Sequence, residues 1–294
     1  MGFIFFLSAT FTVAIVATPT LIAYLGSTPT LDGRIDPAEW ADATSFGDIA
    51  SFNPEFAPVA PASPPDLNVT AYVKHDGRTL YFAFEITDNF IYSVDTPAWL
   101  PRGNPSANNL TQEGWPWFGD EIEILMNAKN TFSSHGDGIT GVPGLWQMVV
   151  NSHKSRLGGM GIGGLLEGEP RSSQTAWTNY QNWIYSRAMR AAVTVSPAGA
   201  RGVGGWVTEV AIDFNPLLEL APGTFWNTTW PATTLGLNIA IGDTDSAAVG
   251  DPTYGLRHEM WWSGNATCGS LTGNCHCYLY MFGQLTLEPS SRPQ

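Results

Sequence analysis

Apolar and polar side chains alternate with period two along much of this chain, the pattern of strands with one covered and one open face. Val69, Ala71 and Val73 interleave with Thr70, Tyr72 and Lys74. His75-Asp76-Gly77-Arg78 then has the chemistry of a turn, and Leu80, Phe82, Phe84 and Ile86 resume the alternation. This stretch predicts a hairpin. Further strands are predicted at Glu121–Asn127, Trp146–Asn151, Ala188–Val195, Gly205–Asp213, Leu235–Ile241 and Phe282–Leu287, with a late strand carrying Arg257-His-Glu-Met-Trp261-Trp262. Between Asp32 and Ala43 the pattern changes to a helix start. Asp36 can cap, Pro37 suits the first helical position and Glu39 follows three residues after the cap. Residues 53–66 hold too many prolines for regular structure and read as a surface loop. Long Gly-, Ser- and Asn-rich connections run over residues 90–118 and 152–183, and loops of that length are usually functional. The pattern predicts an all-β chain: an antiparallel β-sandwich with long loops and one or two short helices. It fills residues 27–289 as one domain and leaves 290–294 as a tail.

The start of the chain breaks the alternation. Residues 3–25 are strongly apolar and carry no charge, and the first basic residue is Arg34. Residues 1–26 therefore read as a signal peptide or apolar leader, with Ala17, Ala23 or Gly26 near candidate cleavage points, and the expected location is extracellular. The run is also long enough for an uncleaved membrane anchor, the alternative reading. Four Asn-x-Ser/Thr sequons, at Asn68, Asn109, Asn227 and Asn265, are candidate glycosylation sites. Cys268, Cys275 and Cys277 cluster near the end, and an oxidising compartment favours a disulfide from Cys268 to Cys275 or Cys277. A zinc site with His258 or His276 fits the Cys-x-Cys spacing poorly.

Composition narrows the partners. The net charge of −13 with only 13 Lys+Arg offers no basic patch, so no nucleic-acid partner is expected. No G-x-S-x-G, H-E-x-x-H or phosphate-binding loop occurs, and acidic pairs such as Asp120/Glu121/Glu123 arise easily among 26 acidic residues, so no catalytic residues are assigned. Asp32, Asp36, Asp88, Asp243 and Asp245 lie in or beside turns, where oxygen ligands for structural calcium could gather; no organic cofactor is expected. Among the 12 Trp, Trp40, Trp146 and Trp206 sit in core or capping contexts, while Trp115 packs a loop. Trp117 stands just before Glu121 and Glu123, which share one strand face with Leu125. A flat ring beside oriented carboxylates suits a pyranose, whose C–H face stacks on an aromatic ring while its hydroxyls need polar partners.

The order of the pieces carries a resemblance. LDGRIDPAEWADA comes first, then LYFAFEITD, WFGDEIEI, GWVTEVAIDF, LGLNIAIGDTD and a closing FGQLTL. Over residues 31 to 287 this resembles the family 9 carbohydrate-binding modules. The resemblance implies a jelly-roll type of sandwich, a non-catalytic role with carbohydrate as the partner, and structural calcium. It also implies a sugar clamped between two Trp rings: Trp117 as the first and Trp261 or Trp262 as the second, with Glu121, Glu123 and Arg257 bonding hydroxyls. Two other classes stay open. Related sandwiches bind b-type haem through axial Met with His or Lys, and His258 and Met260 form such a pair here. An acidic glycoprotein sandwich could also self-assemble into an extracellular coat or filament or associate with a cell surface.

Overall fold

A computed structural model of the chain describes residues 19–47, 53–54, 67–91, 120–127, 145–152, 189–196, 201–214, 231–244, 257–263 and 282–293. These form two β-sheets packed face to face. The first holds β1 (Thr20–Tyr24), β3 (Asn53–Pro54), β6 (Glu121–Asn127), β7 (Leu145–Asn151), β10 (Thr233–Thr244), β11 (Arg257–Trp261) and β12 (Gly283–Glu288). The second runs in the order β2 (Thr44–Phe46), β4 (Leu67–His75), β5 (Thr79–Phe90), β9 (Arg201–Asp213) and β8 (Met189–Ser196). Every pairing is antiparallel except that of β1 with β12.

The predicted hairpin is β4–β5, in register from Leu67↔Asp88 to His75↔Leu80. Asp76 closes its turn by accepting the backbone N–H groups of Arg78 and Thr79, and Gly77 takes a φ of 89°, a left-handed value that suits glycine. Strand β10 is the hub of the first sheet. Along one edge it pairs with β6, from Gly236↔Asn127 to Gly242↔Glu121; along the other it pairs first with β12 and then with β11. The core lies between the sheets. Ile122, Ile124, Leu237, Ile239 and Ile241 meet Val69, Val73, Phe82, Phe84, Trp206 and Val210, all buried.

Three features differ from the sequence pattern. Thr20–Tyr24, inside the apolar run read as a leader, form β1, with Leu21 and Ala23 buried in the core. An apolar run looks the same whether it enters a membrane or a sheet; here β12 supplies the partner, from Thr20↔Gln284 to Tyr24↔Glu288. The helix start at Asp36 makes turns only: Asp36 caps the Ala38 N–H and its carbonyl accepts from Glu39 and Trp40, but the chain turns away by Ala43 to enter β2. Asn53–Pro54, placed in a loop, form the short strand β3. Among the described residues there is no helix long and apolar enough to cross a membrane.

Residues 31–43 roof one end of the second sheet. Trp40 packs with Tyr81, Ala83 and Ala211. The roof is held by the buried Glu209 of β9, whose Oε2 accepts the N–H groups of Asp32 and Gly33 at 2.9 Å each, while Oε1 accepts Trp40 Nε1–H at 3.1 Å. Gly33 has a φ of 77°, and a side chain there would run into Thr194 of β8. Lys74, buried on the same sheet face, donates to Asp42 at 2.8 Å, to Ser27 Oγ and to the Glu39 carbonyl, and lies 5.2 Å from the centroid of the Trp40 ring. Burial pushes the Glu209 carboxyl above its ordinary pKa, against the pull of its N–H donors.

Replacing Glu209 with Gln sets an NH2 group against an N–H donor inside this buried clamp. We predict a loss of about 2 kcal/mol, read by urea unfolding with an unchanged m-value. A carboxyl whose native pKa exceeds its unfolded value of about 4.3 holds its proton more tightly when folded. Its contribution is therefore fullest in acid and declines as pH rises through the native value. Glu209→Gln removes that declining component; a variant within about 0.5 kcal/mol of the parent would show that the clamp contributes nothing.

Candidate functional site

The face of the first sheet turned away from the core collects the polar residues of β6 and β10. Ile122, Ile124 and Met126 point inward, so alternation puts Glu121, Glu123 and Leu125 outward. On β10 the outward residues are Asn238, Ala240 and Gly242, which leave a lane of small side chains. The register aligns Glu123 with Ala240 and Ala240 with Trp261, and aligns Glu121 with Gly242 and Gly242 with Glu259. Adjacent strands lie about 4.8 Å apart, so Glu123 and Trp261 stand roughly 10 Å apart across Ala240.

The two predicted carboxylates are both buried. Glu121 is 0% exposed and lies over Gly242, where a Cβ would sit 2.7 Å from its Oε1. Glu123 is 5% exposed. Asn238 escaped notice in the sequence, although one amide inside the apolar run LGLNIAI was its signal. Its Oδ1 accepts the N–H groups of Ile239 and Ser263, which fixes the amide, and its buried Nδ2 has no hydrogen-bond partner among the described residues.

Of the remaining predicted residues, Arg257 opens β11 in register with Thr244. Trp262 is only 7% exposed and belongs to the core. Its ring meets Phe46 edge-on at 6.1 Å and lies against Gly283, where a Cβ would be 2.3 Å from Cζ3. A ring enclosed in this way has no open face for a ligand. Met260 is also buried in the core. Trp117, Asn109, Asn227, Asn265, Asp245 and the three cysteines lie outside the described residues.

A second cluster sits between the sheets. Asp88 on β5, Asp120 just before β6 and Asp243 on β10 are each buried, and their carboxylate oxygens lie within 4.8 Å of one another. Two of the five aspartates proposed for calcium thus converge, joined by Asp120. This is an all-oxygen, anionic donor set, suited to a hard divalent cation. Asp32 and Asp36 instead accept the backbone N–H groups of Arg34 and Ala38 in the roof. A cavity of about 750 Å³ lies apart from both clusters, lined by Ser27, Asp42, Ser291 and Arg292 among others. Burial pushes the Asp42 carboxyl up, but its bonds to Lys74 and Ser27 outweigh this and hold it below its ordinary value; that carboxylate is already committed within the fold.

The two sheets define an all-β sandwich of the kind found in the family 9 carbohydrate-binding modules. Two structures of such a module from Caldicellulosiruptor kristjanssonii are similar to it. The complex with cellotriose has a TM-score of 0.50 and 14% identity, covering 92% of this chain and 94% of that one. The complex with glucose has a TM-score of 0.50 and 13% identity, covering 94% and 99%. A protein of Bacteroides uniformis provisionally assigned to carbohydrate binding has a TM-score of 0.51 and 16% identity, covering 92% and 100%. At these identities the likeness is one of fold. No family model matches the chain, and neither does any curated protein sequence.

The position of Trp262 has a direct consequence. Trp262→Ala should lower stability by about 3–5 kcal/mol, measured by denaturant unfolding, because it empties a core site between Phe46 and Gly283. A loss below about 1 kcal/mol would put the ring outside the core.

Proposed function

We propose that this chain is an exported, non-catalytic carbohydrate-binding module whose sugar lies on the outer face of the first sheet. The observation that carries the reading is the register row Glu123–Ala240–Trp261. It sets a carboxyl residue and an indole residue on either side of the small Ala240, in a row where Glu123 and Ala240 are themselves buried. Trp261 is the ring we assign to the C–H face of the sugar, with Trp117 as its partner from the preceding connection. Glu123 accepts a hydroxyl, Asn238 offers its unspent donor and Glu121 supports from below. Arg257 completes the set. The fold likeness supports the same reading, since the Caldicellulosiruptor neighbours hold cellotriose and glucose. Two carboxylates from one strand approach a ligand from the same side, whereas glycoside hydrolysis needs them to flank the scissile bond. That geometry favours binding over cleavage.

Export by the apolar start is compatible with the fold if processing spares β1. Of the three candidate cleavage points, Ala17 lies upstream of Thr20–Tyr24, Ala23 falls inside the strand and Gly26 follows it. We therefore assign processing to the neighbourhood of Ala17. Calcium is the cation that Asp88, Asp120 and Asp243 would hold, and its charge would tie β5 of one sheet to β6 and β10 of the other.

Isothermal titration with glucose, cellotriose and longer β-glucans should show binding heat. Trp261→Ala should weaken it at least tenfold, about 1.4 kcal/mol, and Glu123→Gln should weaken it while folding is retained. Absence of heat with all of these sugars rejects sugar binding, and full affinity in Trp261→Ala rejects the site.

Calcium should raise the melting temperature of the chelator-treated protein. At a hundredfold excess over Kd the gain is about 2.7 kcal/mol, and Asp243→Asn should abolish it. An unchanged melting temperature with and without calcium rules the ion out.

A further inference from the structure

We infer that Asn68 is a glycosylated residue, and that its glycan stands on the second sheet, on the opposite side of the sandwich from the Glu123–Ala240–Trp261 row. The inference rests on the export proposed above and is independent of sugar binding. Asn68-Val69-Thr70 is a sequon in an extended strand, so Asn68 and Thr70 share the outer face while Val69 turns into the core. Asn68 is exposed and Thr70 half-buried. Across the sheet Asn68 is in register with the exposed Thr87, and Thr87 with Gly205, which has no side chain.

This is the end of the face that the roof leaves open. Trp40 and its neighbours cover Tyr72, Tyr81, Ala83 and Ala211, further along the same strands. The pairing of β2 with β4 stops at Phe46↔Ala71, short of Asn68. Asn is a poor strand former, and among the described residues nothing packs on this one that would explain its place in β4. The Oδ1 of Asn68 accepts the Val69 N–H at 3.0 Å, which leaves Nδ2, the atom that takes the sugar, as the outward end of the amide.

The modification needs a polyprenyl-diphosphate-linked oligosaccharide as donor. A bond forms between Asn68 Nδ2 and the anomeric carbon, the anomeric C–O bond to the diphosphate breaks, and the lipid diphosphate leaves as one amide proton is given up. No oxidation or reduction is involved. The test is peptide mapping by mass spectrometry of the full chain secreted from cultured insect or mammalian cells, which reads the mature N-terminus in the same sample. Glycan is expected on Asn68 in the parent and in Thr70→Ser, and lost from Asn68 alone in Thr70→Ala. An unmodified Asn68 in secreted parent protein overturns the site. A chain retained in the cells overturns export and this site with it.

Discussion

The carboxylate of Glu209 is the constraint on which the second sheet depends. It sits buried in the middle of β9 and gathers three N–H groups from a segment about 170 residues earlier in the chain, two from the backbone at Asp32 and Gly33 and one from the Trp40 indole. Placing a carboxyl there is costly unless its oxygens are satisfied, and burial does push it toward the protonated form. The three donors offset that cost, and so they choose the path of residues 31–43. The spacing of Trp206 and Glu209 follows. Residues three apart in a strand face opposite ways, so the indole of Trp206 enters the core while Glu209 reaches the roof.

The roof in turn accounts for a second buried charge. Lys74 lies on the outer face of β4, where a solvent-facing lysine would be ordinary, but residues 26–42 close over it. Its Nζ is then met by Asp42, Ser27, the Glu39 carbonyl and the Trp40 ring. Lys74 is fully buried while Asp42 is a third exposed, so removing Asp42 would leave a buried cation without its counter-charge, which is generally worse than losing both. Clamp and ion pair therefore hold one segment from two strands.

Strand β10 organises the other sheet in a different way, by what it lacks. Gly236, Ala240 and Gly242 offer little bulk on the outer face, while Leu235, Leu237, Ile239 and Ile241 fill the inner one. The absent bulk lets Glu121 lie across Gly242. Near the end of the strand Asp243 turns inward toward Asp88 and Asp120. The proposed binding row and the proposed cation cluster thus share one strand on opposite faces, and loosening one would be felt by the other through β10.

Much of the frame was legible in the residues alone. Strict alternation identifies β4, β5, β6 and β9, because a strand between core and outer face must repeat every two residues, and the Asp-Gly turn joins the first two. The inward set of β6 and the outward pair Glu121 and Glu123 follow from the same parity. Other decisions needed pairing partners. Thr20–Tyr24 belong to an apolar run that reads equally well as leader or strand, and only the ladder with β12 makes them β1. Of the adjacent pair Trp261 and Trp262, Trp262 enters the core, a choice made by how β11 registers against β10 and not by any local pattern. Asp88 and Asp243 come from strands of different sheets and Asp120 from the bend just before β6, and no local spacing announces their meeting. Parity is a property of the chain; which parity faces inward, and what meets it there, is settled by contacts between residues far apart in it.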